Sequence, residues 1–449
     1  MPHHHGAESA FRTTPPHVVG TSRSSLKHLH LISPDWTRDD LVRETNRIFD
    51  VCDGCRRCFN LCPSFNTLLE RIDEYESDVS LLTASDYEQV EKECYYCKLC
   101  YNHCPYTPPH DYQIDFPRLM ASWKKQRVKE QGASWRDRLL IKTDLIGKLG
   151  SMTASLTNRA LSTPWIRNLL EAIIGLHRDR RVLAFSRENF PAWWRTRGST
   201  LQPAVPKHKV VVFPSCLVNY QATDIGKATV QVLVKNHVEV VVPEGQRCCS
   251  MPSFDLGDTE TMSQTAAHHL QLFLPYLRQG YDLVVPTPSC SLMFKREYPY
   301  LVPTRDMALL AERTFDVCEY LMRLKKDGAL STEFRQTSRR IAYQVPCHLR
   351  DQNIGFKSKE LMELTGAHVE VIEKCSGHDG SWSAKVEFFD QSMKIAQKAV
   401  RSVSDCEPDL VASDCPLSAL QLDQAGATLS KHGTRHPIQI VRDAYDLPS

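Results

Sequence analysis

The chain has 449 residues and lacks any long hydrophobic run. Its longest apolar stretches, such as residues 169–176, fall well short of the roughly 18–20 residues a membrane-spanning helix needs. Residues 1–23 are polar and contain no apolar h-region, so no secretory signal is expected. His3, His4 and His5 are too few to identify a purification tag. Charge of one sign is also missing: 55 Lys and Arg stand against 53 Asp and Glu, a net charge of +2. A polycation built for nucleic acid is thereby excluded, and no nucleic-acid-binding module accompanies the charge there is. Glycine-rich nucleotide fingerprints are absent too. No G-x-G-x-x-G follows a strand-like run and no G-x-x-x-x-G-K-[ST] occurs. No flavin or nicotinamide site of its own is therefore expected. What remains, 42% hydrophobic and 24% charged residues, is the composition of a folded chain of two to four domains.

Cysteine is abundant, with 17 residues. An odd, large number argues against a disulfide framework and for thiolates used as metal ligands in a reducing compartment, the cytoplasm. Eight of them form one pattern used twice, Cys52-x2-Cys55-x2-Cys58-x3-Cys62-Pro63 and Cys94-x2-Cys97-x2-Cys100-x3-Cys104-Pro105. This is the spacing of bacterial two-cluster ferredoxins, in which the fourth cysteine of each run reaches the other cluster. Two [4Fe–4S] clusters are therefore expected, one on Cys52, Cys55, Cys58 and Cys104, the other on Cys94, Cys97, Cys100 and Cys62. Zinc is the competing reading, but structural zinc pairs one C-x2-C with a distant second pair, and three cysteines at x2, x2 suit a tetrahedral ion poorly. Between the runs, residues 65–75 read as a helix, and Ser85 to Glu88 reads as a capping box opening another.

The C-terminal half repeats itself. KVVVFPSC, HVEVVVPEGQRCC and YDLVVPTPSC lead to Cys216, Cys248–Cys249 and Cys290. RIAYQVPC, HVEVIEKCS and PDLVASDC lead to Cys347, Cys375–Ser376 and Cys415, offset by 131, 127 and 125 residues. Short Val/Ile-rich runs alternate with helical stretches such as 264–277 and 385–403. That alternation predicts α/β units on a parallel-leaning sheet with the cysteines at the strand C-termini, where such folds place ligands. Cys216, Cys248, Cys249 and Cys290 suffice for a further iron–sulfur cluster; the alternative is buried structural cysteine. Cys347, Cys375 and Cys415 form a poorer, degenerate site, with Ser376 and Ser418 where thiolates would stand and His348 and His378 nearby. Cys318 and Cys406 read as core residues of helices.

Residues 118–197 carry 17 Lys and Arg against 6 Asp and Glu, together with five of the seven tryptophans. The segment reads first as a helical linker packing its Trp and Leu side chains between domains. The competing reading is contact with an anionic membrane surface. The expected organisation is a disordered tail over 1–36, a helical two-cluster ferredoxin domain over 37–117 and the basic Trp-rich linker over 118–206. Two repeated α/β cysteine-rich domains follow, over 207–330 and, degenerate, over 331–449. The fold class is thus a helical domain joined to α/β domains.

The eight-cysteine region resembles helical ferredoxin domains such as those of succinate dehydrogenase iron–sulfur subunits. The later repeats resemble the cysteine-rich CCG domain found in heterodisulfide reductases. The order of the parts resembles the family of anaerobic glycerol-3-phosphate dehydrogenase and glycolate oxidase iron–sulfur subunits and heterodisulfide-reductase-related proteins, over about residues 37–430. CCSMPSFDLGD, PTPSCSLMFKREYP, VPCHLRDQNIG and EKCSGHDGSW look most like a bacterial branch often encoded near rubrerythrin. The resemblance implies an electron-transfer subunit that takes electrons from a flavoprotein donor towards a quinone or another acceptor such as a rubrerythrin-like protein. Such a chain would sit in the cytoplasm, with peripheral contact on the inner face of the membrane as the extension. The alternatives are a heterodisulfide-reductase-like enzyme and a non-catalytic redox sensor. The family's five-thiolate noncubane sites require a further cysteine where this chain has Met293, and again where it has Ser376 and Ser418, which argues against disulfide-reductase chemistry.

Overall fold

The computed structural model describes residues 36–426, 429 and 433–448. The tail expected over 1–36 and the three early histidines lie outside them, apart from Trp36, which packs on the first core.

That core is helical. Thr37 and Asp40 form a capping box that opens the helix Arg38–Cys55, whose Leu41, Thr45, Ile48 and Phe49 recur at helical spacing and are buried. Helices Pro63–Glu74, Ala84–Glu93 and Phe116–Gln131 close around it. Phe65 meets Phe116 at 4.3 Å between ring centroids, and Tyr87 stacks on Trp123 at 5.4 Å. The box that opens the third helix is Thr83 with Asp86, two residues before the expected Ser85 and Glu88. Ser85 lies inside the first turn, where its hydroxyl cannot cap.

Two parallel sheets carry the rest. The first has β1 (His208–Val212), β2 (Val238–Val241), β3 (Asp282–Val285) and β4 (Thr314–Asp316) in the order β2-β1-β3-β4. The second has β5 (Arg340–Gln344), β6 (His368–Ile372) and β7 (Leu410–Ala412) in the order β6-β5-β7. Every pairing is parallel, with Val210 opposite Val240 and Ile341 opposite Val369 and Leu410. Val210, Val211 and Val212 are fully buried, as strands covered on both faces must be. In each sheet the chain leaves the first strand to one side and returns on the other. The crevice beyond the strand C-termini is therefore a topological switch point. Strand β4 has no counterpart in the repeat pattern read from the sequence. The helices between strands are longer than or shifted from the expected stretches, at Thr259–Arg278 and Phe389–Asp405.

The segment between the helical domain and the sheets forms helices Trp135–Leu140, Thr143–Met152, Ala154–Leu161 and Pro164–Ile174. It does not bury all its tryptophans between domains. Trp123 and Trp193 are buried, whereas Trp135 is 58% and Trp165 67% exposed. The middle helices also dock on both sheet domains, Asp137 pairing with Lys385 at 2.6 Å and Asp144 accepting from the Cys248 amide, but they leave one apolar side open. Gly147 lets helix Thr143–Met152 lie directly on Tyr220, since a Cβ there would come within 2.3 Å of that ring.

One buried ion network joins all three domains. Lys98 Nζ donates to Glu297 Oε1 at 2.6 Å and to Asp351 Oδ2 at 3.0 Å, and Arg118 approaches Glu297 at 3.5 Å. Burial alone would raise the Glu297 carboxyl, but Lys98 and Arg118 outweigh it and hold it below its ordinary value of 4.5. Its contribution to stability is therefore complete above that value and is lost as pH falls through the lower folded-state value. Lys98→Met should cost about 3–5 kcal/mol by leaving buried Asp351 without its cation and Glu297 with Arg118 alone. Denaturant unfolding of the two proteins at neutral pH measures it, and an unchanged midpoint would contradict it.

Candidate metal centres

All 17 cysteines are unpaired thiols. The eight early ones fall into two groups. Cys52, Cys55, Cys58 and Cys104 line one cavity together with Arg56, Phe65 and Tyr106. Cys62, Cys94, Cys97 and Cys100 line a second, together with Tyr95, Tyr96 and Lys98. The local reason is the same in both runs. The residue after the second cysteine, Arg56 or Lys98, takes a left-handed conformation (φ of 50° and 61°), which curls the loop around its own cavity. Cys62 and Cys104 close each run at a helix boundary next to proline, and so turn into the other group's cavity.

The electrostatics follow from crowding. Burial, then the neighbouring Cys104 and Cys55, push the Cys58 thiol up to about 12. Burial and Cys97 and Cys94 raise Cys62 well above its ordinary value. Cys100 feels Cys58 as well as its own group, so the two cavities are neighbours. Backbone amides point at the sulfurs, Tyr106 N at 3.4 Å from Cys104 Sγ among them. Four converging thiols with amide donors suit an iron–sulfur cluster, which draws the thiolate charge onto iron and accepts hydrogen bonds at sulfur. The first cavity is the nearer to the surface: its four cysteines are all partly exposed, while Cys94 and Cys100 are buried.

In the first sheet domain, Cys216, Cys248, Cys249 and Cys290 gather at the switch point. The four thiols act on one another as close neighbours: Cys248 raises Cys216, Cys248 and Cys290 raise Cys249, and Cys248 is itself lowered by Cys216 and Cys249. Asp144 reaches in from the basic segment. Cys248 N donates to Asp144 Oδ2, and burial and then the Cys248 charge push the Asp144 carboxyl up to about 6. Sequence spacing offered no signal for Asp144, because its approach depends on the Gly147 contact. Met293 is fully buried within the same core, where a further cysteine would be needed for a five-thiolate site.

The second domain brings together Cys347, Cys375 and, close by, Cys415. Cys347 is a close neighbour of Cys375 and also of Cys97 of the helical domain, and both raise its thiol. Cys347 and the Gly377 amide at 3.3 Å bring Cys375 down to about 7. Tyr95 stands 3.7 Å from Cys375 Sγ. Ser376 and Ser418 hydrogen-bond each other at 3.0 Å where two more thiolates would sit. His348 is engaged at both nitrogens, with Ser289 Oγ at 2.9 Å and Tyr96 O at 3.1 Å, so it bridges domains and is not a free ligand. Burial, then Arg180, pushes His378 down to about 3 and keeps it neutral. Cys318 is fully buried, and Cys406 closes helix Phe389–Asp405 with its thiol on Ser402 O at 3.0 Å.

Comparison with known proteins assigns the parts. Residues 45–131 match the citrate utilization protein B Fer4-like domain, and residues 210–295 and 341–423 each match the cysteine-rich domain. The chain is a Fer4-like domain followed by two cysteine-rich domains. It is homologous to the C subunit of anaerobic glycerol-3-phosphate dehydrogenase from Escherichia coli strain K12, at 25% identity over 69% of this chain and 77% of the relative. It is also homologous to lactate utilization protein A. The Bacillus cytotoxicus and Bacillus velezensis proteins are 26% and 29% identical over 46% of this chain and 87% of theirs.

The serine pair makes a direct test. The Ser376→Cys/Ser418→Cys double variant should raise the iron content of anaerobically reconstituted protein above wild type, since it completes five thiols around one crevice. Iron and sulfide counting checks it, and an unchanged count would contradict it.

Proposed function

We propose that this protein is the iron–sulfur electron-transfer subunit of an oxidoreductase complex. In this reading Cys52, Cys55, Cys58 and Cys104 hold one [4Fe–4S] cluster, and Cys62, Cys94, Cys97 and Cys100 hold the second. The observation that carries it is the pairing of two four-thiol cavities in direct electrostatic contact through Cys58 and Cys100. Bound clusters supply one-electron transfer. The chain's own residues do the rest. Two αL turns shape the cages, aromatic packing around Phe65 and Phe116 keeps the cages fixed, and the partly exposed first cavity leaves an edge for a redox partner. The second cavity faces inward, where Cys97 meets Cys347 and Tyr95 meets Cys375. The second sheet domain is thus the next station along the path. The name of one homologue, a dehydrogenase subunit, supports a place among the subunits of a redox complex, and a flavoprotein donor is the partner this reading assigns. The first sheet domain, with four linked thiols, is the candidate third cluster. A disulfide-reducing enzyme fits less well, because Met293, Ser376 and Ser418 leave both crevices short of five thiolates.

Delivery to a quinone needs a membrane surface, and the helices between Trp135 and Ile174 favour one. Met152 and Leu156 are each 71% exposed, beside Trp135 and Trp165. Arg138, Lys148 and Arg159 are exposed on these helices, and Lys142 is exposed just before Thr143–Met152. Apolar side chains flanked by cations are the composition of an interfacial anchor. No helix among the described residues is long and apolar enough to cross a membrane.

Cys55→Ser should cut partner-linked electron transfer by about a hundredfold or more while iron in the remaining sites persists, because a hydroxyl is a poor ligand for a soft cluster. Full activity in that variant would remove the first cage from the path. Vesicles of anionic phospholipid should sediment the wild-type protein at low salt, and Leu156→Asp/Trp165→Asp should remain in the supernatant. Absence of wild-type binding at low and high salt alike would dispose of the membrane reading.

A further inference from the structure

Away from the thiol crevices, three ligating side chains meet at the seam between the two sheet domains. Asp316 ends β4 and caps helix Val317–Lys326, Cys318 lies in that helix's first turn, and Asp414 follows β7. One oxygen or sulfur of each lies within 4.8 Å of the other two. All three residues are fully buried. Asp414 is held by two hydroxyls, Ser358 on one oxygen and Tyr343 on the other. Asp316 Oδ1 accepts from Cys318 N at 2.9 Å, but its buried Oδ2 has no hydrogen-bond partner.

An unpartnered carboxylate oxygen in a dry interior is rare and costs free energy. A second carboxylate facing it adds repulsion. The cation whose field reaches Asp316, Lys295, is hydrogen-bonded to Glu319 at 2.7 Å. Among the described residues no cation pairs directly with Asp316 at the point where three ligand atoms converge.

We propose that Asp316, Cys318 and Asp414 bind one divalent transition-metal ion, zinc by donor chemistry, that fastens the two sheet domains together. Two carboxylate oxygens and a thiolate supply three of the four ligands a borderline-soft ion takes, and the thiolate disfavours calcium and magnesium, which take oxygen donors. Zinc bonds of about 2.0–2.3 Å bring such donors closer than they stand here, a movement within reach of small side-chain rotations. Tyr343 and Ser358 orient Asp414 as outer-sphere hydrogen bonds usually orient a ligand. Binding displaces whatever protons the trio holds, and the donors come from both domains, 316 and 318 from one and 414 from the other. The site is independent of the iron–sulfur path and stands or falls separately from it.

The full-length protein, purified anaerobically with zinc in the growth medium and desalted over a weak chelating resin, is assayed for zinc and iron by mass spectrometry. About one zinc per chain should accompany the iron, and Asp316→Asn/Asp414→Asn should lose the zinc with iron and sulfide unchanged. Anomalous difference maps collected above and below the zinc edge on wild-type crystals need no variant. They should place the ion among these three residues. Zinc absent from the wild type, zinc retained in full by the double variant, or an anomalous peak confined to the cysteine crevices would each overturn the proposal.

Discussion

The ammonium of Lys98 holds the molecule's parts in register. It sits inside the second cysteine run, one residue beyond Cys97, and meets Glu297 from one sheet domain and Asp351 from the other. A buried cation between two buried carboxylates is worth little as net stability but tolerates few alternative arrangements. Arg118 and the Tyr96 hydroxyl, 3.3 Å from Glu297, complete the shell. Because the same loop wraps a thiol cage and supplies this cation, the geometry of that cage and the docking of both sheet domains are one problem. The contact of Cys97 with Cys347 and the His348 bridge from Tyr96 to Ser289 follow from it.

The two sheet domains show how topology gathers ligands that lie far apart in sequence. Reversal of strand order leaves a crevice beyond β1 and β3, and again beyond β5 and β7. Loops that end those strands have no other place to go. Gene duplication of such a unit would yield two identical crevices; here they have diverged. The first keeps four linked thiols and acquires Asp144 from outside the domain. The second exchanges two thiols for a hydrogen-bonded serine pair and acquires Cys97 and Tyr95 as neighbours.

Much of this was legible in the sequence, because the relevant signals are local. The twin cysteine runs state their own loop geometry, and Val/Ile runs ending near cysteine announce parallel strands. Three things were not legible. Strand β4 carries only Thr314, Phe315 and Asp316 and has no periodicity to detect. Asp144 and His348 act across distances that only tertiary packing sets, through a glycine contact in one case and a loop carbonyl in the other. The tryptophans of the basic segment could not be sorted into buried and open from composition, since Trp123 and Trp135 differ in what they face rather than in their neighbours along the chain.

The helix Pro437–Ala444 lies not on its own sheet's outer face alone but against helix Thr223–Lys235 of the first sheet domain. Ile438, Val441 and Tyr445 belong to that domain's core, and Arg442 pairs with Asp224, 218 residues upstream. During synthesis the first sheet domain therefore emerges from the ribosome with part of its interior missing. It waits exposed until the distal helix arrives.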